Sequence, residues 1–191
     1  DEDNKPCQTQ GDLRRTYLTN LVNNIFNSRL YEITSTPEAP WLAANAVRYN
    51  ETNTTAFNGY YFVPKEGYFS QAFQTMLDET DRLLLHGITE SEFSRAKESL
   101  LTTENQWYEQ SPAITSAERL DNLCHYFLNG DIVLSDDDYI EIARSIINSI
   151  TLDEVNTRAS DLFEGRGTLC MIYTPESSAD QLPSKDDFIS F

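Results

Sequence analysis

Residues that bind transition metals are scarce in this sequence. Among 191 residues there are two histidines, His86 and His125, and neither stands in an H-x-x-E-H or H-E-x-x-H frame. A catalytic zinc ion needs about three protein ligands, two of them usually on adjacent turns of one helix. The three cysteines, Cys7, Cys124 and Cys170, form no C-x-x-C pair. The sequence therefore predicts neither catalytic residues nor metal ligands in this chain, and both Cys124 and Cys170 are expected to be small core residues.

Basic residues and long apolar runs are also few. Fourteen basic against 31 acidic side chains give a net charge of −17, which argues against nucleic acid or anionic membranes as partners. No apolar run approaches the roughly 18 residues of a transmembrane helix, and the N-terminus lacks the pattern of a signal peptide. The acidic balance suits a soluble surface, or a chamber wall that attracts basic peptides.

The organisation expected from composition is one domain with two polar ends. Residues 1–11 are polar and include Pro6 and Gly11, so we expect a disordered or loosely attached lead. The domain should span 12–175, followed by a tail or linker at 176–191.

The hydrophobic periodicity predicts six helices and three strands. A stripe of 3.6-residue period runs from Leu13 to Ile33, with Asp12 as its N-cap. Strands are expected at 41–49 and 56–63, paired antiparallel, and at 168–173. The other five helices should begin near Gly67, Thr89, Ala117, Ser135 and Thr151. We expect an α+β fold, an antiparallel sheet covered by helices, with a further strand upstream of residue 1.

Two local motifs stand out along this pattern. The first helix ends in Asn27-Ser28-Arg29-Leu30-Tyr31-Glu32 and leads through Pro40 into Trp41. The second motif is the helix joint Gly87-Ile88-Thr89-Glu90-Ser91-Glu92-Phe93, with Ala96 and Lys97 following. From the residues alone, Arg29 either packs its stem on the core or points into a neighbouring cavity.

The order and separation of these motifs resemble those of the insulinase/pitrilysin-type zinc metallopeptidases. The resemblance covers about residues 12–175, and His125-Tyr126-Phe127-Leu128 extends it. Within this family, the sequence most resembles the domain of bacterial members that follows the H-x-x-E-H domain and does not itself bind zinc. It implies an insulinase-type metallopeptidase half-domain (LuxS/metallohydrolase-like), whose sheet is incomplete at the N-terminus.

The same resemblance implies a role. A catalytic H-x-x-E-H domain, in cis or in trans, would bind zinc and hydrolyse peptide bonds, while this chain forms the facing wall of the chamber. Arg29 would contact the peptide substrate. Many family members also use a tyrosine for this contact; at the corresponding place this sequence has Trp41 and, further on, Tyr49. Relatives imply a periplasmic or cell-envelope location, with the cytoplasm as the other possibility. The alternatives are a catalytically dead scaffold or assembly subunit, and an unrelated helical binding module.

Overall fold

The computed structural model of the protein describes residues 2–3, 6–50, 55–163 and 171–173. Within these residues there are three strands, six α-helices and a short 3-10 turn at Ser111–Ala113. In chain order the strands and α-helices are β1 (Glu2–Asp3), α1 (Gln10–Thr34), β2 (Trp41–Asn50), β3 (Thr55–Pro64), α2 (Phe69–His86), α3 (Glu90–Gln110), α4 (Ser116–Asn129), α5 (Asp136–Ser149) and α6 (Leu152–Phe163).

The sheet is built on a long antiparallel hairpin. Strands β2 and β3 pair over their whole length, with Ala46 opposite Tyr60 and Asn50 opposite Ala56. The short β1 pairs antiparallel with the other edge of β3, so that the strand order is β1-β3-β2. The predicted α+β fold and hairpin are confirmed. A third strand, β1, lies at residues 2–3, and the further strand expected upstream of residue 1 stays a prediction.

Helix α1 is the centre of the core. Its apolar stripe is buried, as the periodicity predicted. Helix α1 contacts β2 on one side and helices α3, α5 and α6 on its other sides. Burial of such a stripe is the main source of stability for a helix in water. The buried residues of the stripe are Tyr17, Leu21, Val22, Ile25, Phe26 and Leu30.

Polar contacts at its flank tie α1 to α6. The Arg14 Nε and Nη2 atoms donate to the two carboxylate oxygens of Glu154 at 2.9 and 2.8 Å. Further along, the buried Arg158 donates from Nε and Nη2 to the Thr19 hydroxyl at 3.0 and 2.9 Å. These contacts set the position of the last described helix against the first.

The start of α1 differs from the prediction that Asp12 is its N-cap. Thr9 is the N-cap, and its hydroxyl accepts from the Asp12 N–H at 3.1 Å. The Asp12 carboxylate accepts in return from the Thr9 N–H at 3.0 Å. Asp12 therefore occupies the third helical position of a capping box. Its carboxylate accepts a hydrogen bond from the Thr9 N–H, which has no partner within the helix.

The residues before α1 are attached to the body of the domain. The Cys7 N–H donates to Asp131 Oδ1 at 2.6 Å, and the Cys7 carbonyl accepts from the Ile132 N–H at 3.0 Å. The Gln8 amide donates to the Gly130 carbonyl at 2.8 Å. We expected a loose lead here because the segment is polar; its backbone groups instead find partners in the turn that follows α4.

Threonine and serine caps begin the later helices. The capping boxes predicted at Thr89 and Thr151 are confirmed, and Thr115 opens a third at α4. Ser135 caps α5 by accepting from the Asp138 N–H. Each cap satisfies a backbone N–H that has no partner inside its helix.

Two expectations concern the C-terminal part of the chain. The strand expected at 168–173 lies mostly outside the described residues, and its described part, 171–173, has no regular secondary structure. The tail expected at 176–191 also lies outside them. In the described part of the chain, no helix is both long and apolar enough to cross a membrane.

Candidate functional site

The Arg29 side chain points towards the joint between α2 and α3. Its Nε donates to Glu92 Oε1 at 2.6 Å, and its Nη2 donates to Glu92 Oε2 at 3.0 Å and to the Gly87 carbonyl at 2.9 Å. The side chain is only 9 % exposed. Two parallel N–H···O bonds between a guanidinium and a carboxylate are the strongest geometry for such a pair. Arg29 therefore joins α1 to the start of α3.

A second carboxylate completes this cluster, which we call the Arg29 cluster (Arg29, Glu79 and Glu92). Glu79 lies on α2, and its Oε1 is 3.6 Å from Arg29 Nη1. These two atoms are buried and neither has a hydrogen-bond partner within the usual distance. Substrate contact by Arg29 stays a prediction. It would use Nη1, or would require the guanidinium to release Glu92.

Arg29 and Glu92 favour each other's charged forms. The hydrogen bond from Arg29 holds the pKa of Glu92 down at about 2, against the upward effect of burial and with help from the Thr89 N–H and hydroxyl. The same hydrogen bond with Glu92 raises the pKa of Arg29, although desolvation acts in the opposite direction. The pair of opposite charges on Arg29 and Glu92 is therefore part of the folded state.

The first sequence motif also holds α1 against the sheet. The Asn27 amide donates to the Ala46 carbonyl at 3.1 Å, and its oxygen accepts from the Ala46 N–H at 2.6 Å. Both backbone groups of this β2 residue are therefore satisfied by one side chain. Asn27 and Arg29 from the first motif, with Gly87 and Glu92 from the second, act together as structural contacts between distant segments.

The two aromatic residues considered as substrate contacts lie in different environments. Trp41 is buried, 1 % exposed, and its Nε1 donates to the Thr34 hydroxyl at 2.7 Å. Tyr49 is 55 % exposed on β2. Only Tyr49 is free to meet a molecule outside the domain.

A groove of about 1030 Å³ separates α4 from the rest of the domain. The segment before α1, the end of α3 and the residues between α4 and α5 form its walls. Its size falls at the upper end of the range usual for ligand sites. Residues that line it include Leu13, Trp107, Tyr108, Leu123, Tyr126, Ile132, Val133, Leu134 and Tyr139.

Helix α4 leaves its apolar face uncovered within the described residues. Phe127 is 86 %, Leu128 68 % and Leu120 62 % exposed. Cys124, which we expected in the core, is exposed as well. That expectation was wrong. An amphipathic pattern shows that one face of a helix is apolar, but it does not show that another element of the same chain packs against that face.

The described residues do not fit the zinc ion that the resemblance implies. No group of three or more His, Cys, Asp or Glu side chains among them lies close enough together to hold a metal. His86 lies at the end of α2 and His125 on a different helix, α4. No reaction step is assigned to a metal in this part of the chain.

The position of Arg29 leads to a stability prediction. Arg29→Met leaves the carboxylates of Glu79 and Glu92 buried without their shared cation, so we expect the free energy of unfolding to fall by about 3 kcal/mol or more. Arg82→Met is the matched control, since Arg82 also pairs with Glu79 but is 66 % exposed. It should cost less than about 1 kcal/mol. Urea denaturation of both variants measures the difference, and equal losses would contradict a structural role for Arg29.

The low pKa of Glu92 leads to a prediction about acid. The carboxylate has a lower pKa in the folded state than in the unfolded chain, where it is about 4.3. Its stabilising effect is therefore complete above about pH 5 and is lost as the pH falls towards about 2. Free energies of unfolding measured over this range should fall less steeply in Glu92→Gln than in the wild type. Arg29→Met should show the same shallower slope, because it removes the cause of the shift; an unchanged slope in both variants would refute this assignment.

Comparisons with known proteins identify the fold. No protein-family model matches the sequence, and no curated protein matches it either. Among solved structures, the periplasmic protease PqqL from Escherichia coli superposes with a TM-score of 0.73 at 15 % identity over 82 % of this chain. The first half of the same protease gives 0.72 at 16 % identity over 81 % of the chain. A predicted insulinase family protease from Yersinia pestis gives 0.66 at 12 % identity over 84 %.

The matched chains are much longer than this one. The chain spans 17 % of PqqL, 33 % of its first half and 35 % of the Yersinia pestis protein. Each match covers more than four fifths of this chain, and the chain contains a three-stranded sheet, so its fold is not that of a purely helical module. This chain has the α+β fold of an insulinase-like protease half-domain.

Proposed function

We propose that this chain is the non-catalytic, chamber-forming and substrate-binding domain of a zinc metalloendopeptidase. The observation that carries the proposal is the fold, which is found as one part of longer proteases. The zinc ion belongs to an H-x-x-E-H domain outside this chain, since the described residues have no group of donors that fits it.

The outer face of the sheet suits the chamber wall. Asn45 and Tyr61 are opposite each other on β2 and β3, and both are exposed. Tyr49, on the same face of β2 as Asn45, is exposed too. Flat exposed strands with tyrosine side chains offer a peptide both ring surface and hydroxyl groups. Arg29 would add to this wall through its buried Nη1 group or by releasing Glu92.

The apolar face of α4 suits the contact with the catalytic domain. Leu120, Phe127 and Leu128 are large apolar side chains that no described element covers. Contiguous exposed apolar surface of this kind is typical of protein–protein contacts.

Because PqqL is described as a periplasmic protease, we infer a periplasmic location for the assembled protein.

Zinc content and hydrolysis test the proposal. The native protein or complex that contains this chain should hold about one zinc ion per catalytic domain and cleave a quenched fluorescent peptide. A chelator should abolish cleavage and added zinc should restore it. The isolated 191-residue chain is the control and should show neither zinc nor cleavage. A native protein with neither would favour the scaffold or assembly subunit, and zinc on the isolated chain would overturn the proposal.

A single substitution tests the contact on α4. Phe127→Ser removes the most exposed ring of that face, so the affinity of this chain for the separately produced H-x-x-E-H domain should fall about tenfold or more. Leu85→Ser is the matched control, because Leu85 is 78 % exposed on a different helix, α2. Isothermal titration calorimetry measures both. If the two variants bind as tightly as the wild type, the catalytic domain docks elsewhere.

A further inference from the structure

A small cavity opens beside the groove at the middle of α3. It has a volume of about 260 Å³, slightly below the range of sites that enclose a whole small-molecule ligand. It therefore has room for one side chain of a larger molecule. Its lining consists of Thr103, Glu104, Trp107, Tyr126 and Tyr139.

One carboxylate is held in this cavity by tyrosine hydroxyls. Tyr139 donates to Glu104 Oε2 at 3.2 Å, and the hydroxyl oxygens of Tyr17 and Tyr139 lie 3.1 Å apart, within hydrogen-bond distance. Burial raises the pKa of Glu104, while the Tyr139 hydroxyl, and with it the nearby Tyr17 hydroxyl, lowers it. No basic side chain in the described part of the chain forms an ion pair with Glu104. A half-buried carboxylate is thus oriented without a cation.

The rest of the lining is aromatic and suits a cation. The Trp107 and Tyr139 rings meet edge to face, with centroids 5.0 Å apart, and Tyr126 lines the cavity from α4. Trp107 and Tyr126 are 37 % and 38 % exposed, so their rings are accessible from outside. Aromatic faces attract ammonium and guanidinium groups, and a carboxylate beside them adds a charge-assisted hydrogen bond.

The adjoining groove has matching charge. Trp107, Tyr126 and Tyr139 line both the cavity and the groove, so that the two are direct neighbours. The groove also contains four carboxylates and one guanidinium, that of Arg119, which pairs with Asp136 at 3.3 Å. The four carboxylates are those of Glu109, Asp131, Asp136 and Asp137. Such a surface attracts a basic chain and repels an acidic one.

We propose that this cavity binds the lysine or arginine side chain of a peptide that lies along the groove between α3 and α4. The Glu104 carboxylate pairs with the cation, and Trp107, Tyr126 and Tyr139 surround it. The apolar lining of the groove contacts the neighbouring residues of the peptide. This site requires neither zinc nor a catalytic domain, so it can be tested independently of the function proposed above.

Two blocked alanine pentapeptides test the site, one with a central arginine and one with a central citrulline. Citrulline has nearly the shape of arginine but no charge. Isothermal titration calorimetry with the whole 191-residue chain should show that the arginine peptide binds about tenfold more tightly or better, the difference expected for one charge-assisted contact. The tryptophan fluorescence should change on binding, and Trp107→Phe should abolish the change, because the other tryptophan, Trp41, is buried.

Substitutions in the cavity locate the binding. Glu104→Gln keeps an acceptor for the Tyr139 hydroxyl, so the fold should persist, but the preference for arginine over citrulline should disappear. Tyr126→Leu should weaken arginine binding several-fold by removing one ring face. Glu98→Gln is the matched control: it removes the same charge from an exposed position on α3 outside the cavity and should bind as the wild type does.

Three results would overturn the proposal. The first is no binding of either peptide, and the second is equal binding of the arginine and citrulline peptides. The third is an equal loss in Glu98→Gln and Glu104→Gln, which would mean that only the overall negative charge attracts the peptide. Circular dichroism of each variant distinguishes a lost contact from a lost fold.

Discussion

A buried guanidinium can persist in a folded protein only if carboxylates and carbonyls take up its hydrogen bonds, and this constraint fixes much of the present structure. Arg29 on α1 reaches Glu92 at the start of α3, the Gly87 carbonyl between α2 and α3, and Glu79 on α2. Because the desolvation of an unpaired charge is costly, these contacts favour an arrangement in which the three helices meet around Arg29. Next to it on the same helix, Asn27 satisfies both backbone groups of Ala46, so that the sheet is fixed to the same end of α1.

This arrangement separates the part of the chain that specifies the fold from the part that is open to other molecules. The charged cluster and the stripe of α1 are buried, whereas the groove, the face of α4 and the outer face of the hairpin are accessible. The contacts of Arg29 give it a structural role, while the tyrosines of the sheet and the aromatic cavity at Glu104 are accessible to other molecules. Binding sites are commonly built on well-packed helices and strands, because these elements hold the binding side chains in a fixed geometry.

Local features of the sequence predicted much of the fold. The stripe of α1, the hairpin of β2 and β3 and the capping boxes at Thr89 and Thr151 depend on neighbouring residues, so periodicity and spacing were sufficient. Features that depend on residues distant in the sequence, such as the burial of a side chain or the attachment of a segment, were predicted less well. Cys124 was expected in the core because its helix is amphipathic, and residues 1–11 were expected to be loose because they are polar. The candidate site followed the same rule: Arg29 was recognised from its motif, but its partners are 58 and 63 positions away.

The sequence by itself determined the order of helices and strands, the acidic charge, and the scarcity of histidine in this chain, since each follows from residue identity and short-range spacing. It also contained the two motifs that resemble one protease family. Only the tertiary structure decided that these motifs contact each other, that the apolar face of α4 is exposed, and that Glu104 lies among aromatic rings with no ion-pair partner in the described part of the chain. Such facts depend on which long-range contacts the buried charges and polar groups make together, and no short segment of the chain contains that information.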